Sequence, residues 1–249
     1  MVKYIETEKE KGIKQILKED LQKYFEETSH SINPSTIRSR IHELKKIGII
    51  SKTTDGIYSL EIKKEYIPPY SQTVEKIIKK LKKEFPYLNK YSIWNTIQLN
   101  EFTELQSNKE IILLEVERGT EEAIFYNFSE SYNNIYLKPT KKEIENYILG
   151  KEKSIIIKPL ISNSPLIKKD GINYPKIEKI LVDIYCNKNL FISFQGRQYK
   201  ELFITANNKY SINRKTLFAY SKRRKREEKL QKYLKNNGII DLLNWEKND

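Results

Sequence analysis

Asn33-Pro34-Ser35-Thr36-Ile37-Arg38-Ser39-Arg40-Ile41-His42-Glu43-Leu44-Lys45-Lys46-Ile47-Gly48 is the stretch from which the rest of the chain is read. An asparagine side chain accepts hydrogen bonds from first-turn N–H groups, and a proline behind it suits a helical position whose N–H has no partner anyway. Ile37, Ile41 and Leu44 then recur at spacings of four and three, which makes one apolar stripe on a helix. Gly48 is placed to end it. With that stripe inward, Ser35, Ser39, His42 and Lys46 point outward. Arg38 and Lys45 flank one side, Thr36 and Arg40 the other.

Downstream, Ile49-Ile50-Ser51-Lys52 leads into Thr53-Thr54-Asp55-Gly56, and Ile57-Tyr58-Ser59-Leu60 returns. Asp-Gly between β-prone runs signals a hairpin. Upstream, Ile13, Ile16, Leu17, Leu21, Tyr24 and Phe25 fit helical spacing and predict two short helices broken near Lys18-Glu19-Asp20. Helix, helix, capped helix and tight hairpin is the order of a winged helix-turn-helix, whose third helix enters the major groove. On that reading Ser35, Thr36 and Ser39 let the backbone approach DNA closely, and Arg38 and Arg40 fork onto guanine. His42 and Lys46 complete the face, and Lys52 on the wing meets backbone or minor groove.

Tyr66-Ile67-Pro68-Pro69-Tyr70 stiffens the chain and stops helices. The winged-helix domain is therefore set at residues 1–66 and a second domain at residues 71–249. The second alternates helix and strand patterns: helix from Ser71 to Phe85, strands at 91–96 and 110–116, helix at 120–128, extended chain at 134–137. Helix follows at 140–149, strand at 154–158, then helices at 176–187, 190–194, 199–207 and 214–234. The fold class expected is α+β, a small DNA-binding domain followed by a larger mixed α/β domain with a basic terminal helix.

Charge narrows the partners. The 249 residues carry 46 Lys+Arg against 33 Asp+Glu, a net charge of +13. The excess is focused: residues 210–235 hold ten basic and two acidic residues, net +8. Arg214, Lys215, Lys222, Arg223, Arg224, Lys225 and Arg226 form the patch. On one continuous helix the run 222–226 covers every face, so it must meet solvent, acids or a polyanion. Apolar runs reach only about four residues, against the 20 or so of a membrane span. The N-terminus has no apolar signal core, so a cytoplasmic protein is expected. One cysteine, Cys186, excludes a disulfide framework and a cysteine-rich zinc site and reads as a core filler; His30 and His42 are the only histidines.

Catalytic patterns are sparse. Glu115-Val116-Glu117 puts two acids on one strand face, as metal-dependent nucleases do, but the lysine usual at the following alternating position is missing from Glu115-Val116-Glu117-Arg118. Glu178 and Asp183 are better suited to ion pairs with the basic C-terminal helix. No phosphate-cradling glycine loop, histidine pair or G-x-S-x-G elbow occurs. No enzyme activity, metal or cofactor is expected. A nuclease using Glu115 and Glu117 and a protein-interaction adaptor remain as alternatives.

Three stretches carry a family likeness. The segments 37–44, 48–50 and 56–60 resemble the winged-helix domain of AbiEi-type antitoxin regulators. Tyr174-Pro175-Lys176-Ile177-Glu178-Lys179-Ile180-Leu181-Val182-Asp183-Ile184 is similar to a Pro, Glu-Lys, Leu, Asp-Leu stretch of that family, without its strict Pro-Glu-Lys tripeptide. Tyr210 to Leu217, Tyr220 and Arg223-Arg224 resemble its C-terminal helix. The resemblance implies a transcriptional autorepressor that binds inverted repeats through its N-terminal domain. It also implies a functional pairing with a nucleotidyltransferase-like toxin in a type IV toxin–antitoxin system of phage defence. There the C-terminal domain carries antitoxicity, without a lasting complex.

Overall fold

A computed structural model describes residues 1–28, 33–47, 49–54, 56–60, 64–104 and 106–239, without the side chains of 53 and 54. The chain is a mixed α/β protein that divides into two compact units, one ending at Lys64 and the other beginning at Glu65.

The first unit runs α1 (Val2–Glu10), β1 (Gln15–Leu17), α2 (Lys18–Thr28), α3 (Pro34–Lys46), β2 (Ser51–Thr54) and β3 (Ile57–Ser59). Its three strands form an antiparallel sheet in the order β1-β3-β2. Ile5, Ile16, Leu21, Phe25, Ile37, Ile41, Leu44, Ile50, Tyr58 and Leu60 make its core. Asn33 caps α3 by accepting from the Ser35 N–H at 3.1 Å, with Pro34 in the first turn. Gly48 and Asp55, the expected helix stop and turn residue, lie outside the described residues. The helical reading of Ile13, Ile16 and Leu17 is corrected: Gln15–Leu17 is a strand. Ile16 alone enters the core, opposite Tyr58, between exposed neighbours. Three residues with one buried position fit either period, so only pairing with β3 decides between them.

The second unit opens with α4 (Gln72–Glu84), capped by Ser71 and burying Val74, Ile77, Ile78 and Leu81. β4 (Tyr91–Asn95) runs into a 3₁₀ segment, Thr96–Phe102, through a reciprocal capping box between Asn95 and Gln98. β5 (Glu110–Val116), α5 (Glu121–Ser129) and β6 (Ile135–Leu137) follow. Then come α6 (Lys141–Glu143), which continues as a π turn over Ile144–Ile148, and β7 (Lys153–Pro159). The sheet order is β4-β5-β7-β6, with β4 antiparallel and the other three mutually parallel. The continuous apolar runs of β5 and β7 fit a sheet covered on both faces.

Register decides what each face carries. Ile93, Ile112, Leu114, Val116, Ile155 and Ile157 turn toward α4 and α5 and form one core. Ser92, Trp94, Glu115 and Lys158 belong to the opposite face by strand alternation. β8 (Leu166–Lys169) and β9 (Ile172–Pro175) make a hairpin about Asp170-Gly171, both at positive φ, as a two-residue turn requires. The Asp-Gly signal was present in the sequence here too, but these strands were not expected.

α7 (Ile177–Cys186), a 3₁₀ turn at Ile192–Phe194, α8 (Arg197–Lys209), α9 (Arg214–Arg223) and α10 (Glu227–Asn236) complete the unit. The single helix expected over 214–234 is corrected to two, broken at Arg224-Lys225-Arg226. Lys225 takes the left-handed conformation at φ 53°, the Arg226 N–H reaches back to the Ser221 carbonyl and the Lys225 N–H to that of Lys222. This is a helix stop of the Schellman kind, made without glycine. Among the described residues no helix is long and apolar enough to cross a membrane.

Candidate nucleic-acid interface

The outward face of α3 is built by what its inward face buries. Ile37, Ile41 and Leu44 are each 4% exposed; burying such side chains is worth about 1.5–3 kcal/mol apiece. That fixes the helix about its axis. Ser35, Thr36, Arg38, Ser39, Arg40, His42, Lys45 and Lys46 are then all exposed. Arg40 is tied by Nη1 to Oε2 of Glu43 at 2.9 Å, one turn along. Both side chains are more than half exposed, and such pairs contribute little to stability. Lys52 is exposed on β2. The expected reading residues thus share one helix and its neighbouring hairpin.

The basic run of the second unit splits. Arg214, Lys215, Lys222, Arg223, Lys225 and Arg226 are exposed, and the Arg214 guanidinium sits over the Phe218 ring at 5.7 Å. Arg224 turns inward, with its side chain 13% exposed. It donates from Nη1 to Oδ1 of Asp183 at 2.8 Å and from Nη2 to Oδ1 of Asn187 at 3.2 Å. Five consecutive basic residues therefore do not all face outward: Arg224 continues, at helical spacing, the buried stripe of Leu217, Tyr220 and Ser221.

Arg224 joins a buried ionic cluster. Lys179 of α7 is completely buried and donates to Glu115 of β5 and to Asp183, one turn along its own helix. Tyr220 donates its hydroxyl to Asp183 Oδ1 at 3.0 Å, and its ring lies 5.7 Å from the Lys179 ammonium. Lys158 of β7 approaches Glu115 Oε1 at 3.6 Å. Burial by itself would depress the Lys179 pKa, yet the Asp183 and Glu115 carboxylates outweigh it and the net shift is upward. For Asp183 burial pushes upward, but Lys179, Lys158 and Arg224 reverse it and the net shift is downward. Both groups are held charged. Glu178, by contrast, accepts from the Asn213 N–H at 2.6 Å at the start of α9, and burial raises its pKa.

Asp183 thus pairs with the C-terminal basic run, as its sequence position suggested; Glu178 meets a backbone donor there. Lys179 and Lys158 were not singled out. A signal existed: Glu178, Lys179 and Asp183 interrupt a helix that is otherwise largely apolar, and Lys179 and Asp183, four apart, share a face on which buried charges must be paired.

Glu115 and Glu117 are committed to different partners. Glu115 is fully buried against Lys179 and Lys158, while Glu117 Oε1 accepts from the Lys90 N–H at 2.8 Å. Among the described residues no group of three or more His, Cys, Asp or Glu is arranged to hold a metal ion. Cys186 is half-buried, and burial raises its pKa.

Residues 36–240 match a family described as "Family of unknown function (DUF6577)". No curated protein matches the chain.

Proposed function

We propose, for this chain, which belongs to the DUF6577 family, that it is a transcriptional autorepressor acting on double-stranded DNA in the cytoplasm. The first unit is read as a winged helix-turn-helix, with α3 the reading helix and the β2–β3 hairpin the wing. The observation that carries this is the segregation on α3. Three aliphatic side chains point into the core, while Ser35, Thr36, Arg38, Ser39, Arg40, His42 and Lys46 face solvent together. The order α1-β1-α2-α3-β2-β3, with β3 central in the sheet, supports the same reading.

The second unit is read as the part that opposes a nucleotidyltransferase-like toxin. Support comes from the exposed charges of Arg214, Lys215, Lys222, Arg223, Lys225 and Arg226, anchored from below by Arg224. The chain is then the antitoxin of a type IV toxin–antitoxin pair, with inverted repeats as its operator.

Fluorescence anisotropy with DNA from upstream of the gene tests the DNA reading. Nanomolar to micromolar binding that discriminates against unrelated duplex is expected, and Arg38→Ala with Arg40→Ala should abolish the discrimination. Absence of binding at low salt, or discrimination untouched by these changes, overturns it. Growth rescue on co-expression with the neighbouring gene product tests the antitoxin role.

A further inference from the structure

α4 carries a second charged feature that the reading helix does not absorb. Its buried positions Val74, Ile77, Ile78 and Leu81 face the sheet. Opposite them Lys76, Lys79 and Lys83 are exposed and follow one another at spacings of three and four, which lines them up on one helix face. At 1.5 Å per residue they span about 10 Å of the helix axis. On one flank Lys82 reaches toward the β8–β9 turn: its ammonium lies 3.6 Å from where a Cβ on Gly171 would sit. Lys168 and Lys169 are exposed on that same hairpin. On the other flank Lys80 is already engaged. It donates to the Asn127 carbonyl and to Ser131 Oγ and lies over the Phe128 ring at 5.2 Å. The acids nearby are fewer: Glu75, Glu84 and Asp170, with Glu84 paired to Lys83 at 3.4 Å.

What such a ridge fits follows from what it lacks. The other exposed residues of α4 are Gln72, Glu75 and Glu84. No exposed residue of α4 itself carries a ring to stack on an unpaired base, and single-strand binders interleave such rings with their charges. No apolar side chain stands there to enter a bilayer. A row of flexible point charges suits a surface of closely spaced phosphates, and duplex DNA carries about one per 1.7 Å of axis. We propose that the α4 lysine ridge grips the phosphate backbone of double-stranded DNA and adds a sequence-independent contact to the base-reading helix. This rests on the DNA-binding reading above.

The test uses the full chain and two labelled duplexes, one from upstream of the gene and one unrelated, titrated over a series of salt concentrations. Lys76→Gln, Lys79→Gln and Lys83→Gln together should lower the slope of log affinity against log salt by about 2.7, at about 0.9 per phosphate contact. Both duplexes should weaken by the same factor, leaving their ratio intact. The corresponding triple change to Arg should keep the slope. Thermal melting checks that the variants fold, which exposed positions favour. An unchanged slope in the Gln variant overturns the proposal, as does a loss confined to one of the two duplexes. A slope that stays put while the Arg38 and Arg40 changes still abolish discrimination removes this inference alone. A full chain that binds neither duplex at low salt removes both readings.

Discussion

Arg224 Nη1 lies 2.8 Å from Oδ1 of Asp183, which draws the middle residue of the most basic run in the chain into the interior of its unit. The contact joins the end of α9 to α7, and through Lys179 it reaches Glu115 on the central sheet. The neighbours of Arg224 are left outside, on a turn whose position the buried pair helps to set. The run therefore holds two kinds of residue, one structural and the others available to a partner.

Stability should separate them. Asp183→Asn removes the acid that Lys179, Arg224 and Tyr220 share, and leaving buried cations undercompensated costs about 3–5 kcal/mol. Arg224→Gln should cost less, because Lys179 still faces Asp183. Arg223→Gln and Arg226→Gln, at exposed positions, should change stability by less than about 0.5 kcal/mol. Urea denaturation followed by circular dichroism ranks the four. Equal losses at 223, 224 and 226 would contradict the inward placement of Arg224. A charge-removal test of the patch should accordingly spare this residue.

The cluster also sets a pH dependence. The Asp183 pKa is held below its ordinary value, so its contribution is complete above about pH 4 and fades as pH falls through the folded-state value. The Lys179 pKa is held above its ordinary value, so its contribution is complete below about pH 10 and fades as pH rises through the folded-state value. Glu178, raised by burial, works in the opposite sense: it favours the folded state at acid pH and loses that contribution on ionising. Melting temperature should be flat between roughly pH 5 and 10 as far as the Asp183–Lys179 pair is concerned. Asp183→Asn should flatten the acid limb; an acid limb of undiminished steepness would count against the pair as its source.

The helix stop at Lys225 stores strain. A left-handed φ of 53° costs an L-residue roughly 1–2 kcal/mol, and glycine avoids most of it. Lys225→Gly should raise the denaturation midpoint, by up to about 1 kcal/mol in stability. Lys225→Val, with a branched Cβ, should lower it. If the glycine variant is less stable than the parent, the turn does not carry the strain its geometry implies.

On α3, Arg40 is held by Glu43 in the free protein. To reach a base it must leave that carboxylate, which also repels phosphate. Glu43→Gln should therefore tighten binding to the upstream duplex, most clearly at low salt, with no measurable change in melting temperature. Arg40→Ala should weaken binding by about 1–3 kcal/mol and relax discrimination at one base pair. A loss of equal size on every duplex would mark Arg40 as a phosphate contact instead.

What was legible in the sequence was local. The cap at Asn33, the stripe of Ile37, Ile41 and Leu44 and the exposed residues around them, from Ser35 to Lys46, follow from contacts within one or two helical turns. Pattern and outcome are then the same thing. The apolar runs that became β5 and β7 declared themselves the same way, because a strand buried on both faces has no polar alternation to disguise it. The tertiary structure decided whatever depended on residues far apart in the chain. Ile16 is a strand residue because Tyr58 lies opposite it, and nothing in a three-residue window says so. The basic helix breaks where Arg224 finds Asp183 and Asn187. Glu115, read from its neighbour Glu117 as possible chemistry, is instead a buried partner of Lys179, because register turns it to the sheet face that α7 covers. Sequence spacing reports which side chains share a face of one element. Which faces are pressed together, and so which charges must find each other in the absence of water, is settled only when the elements pack.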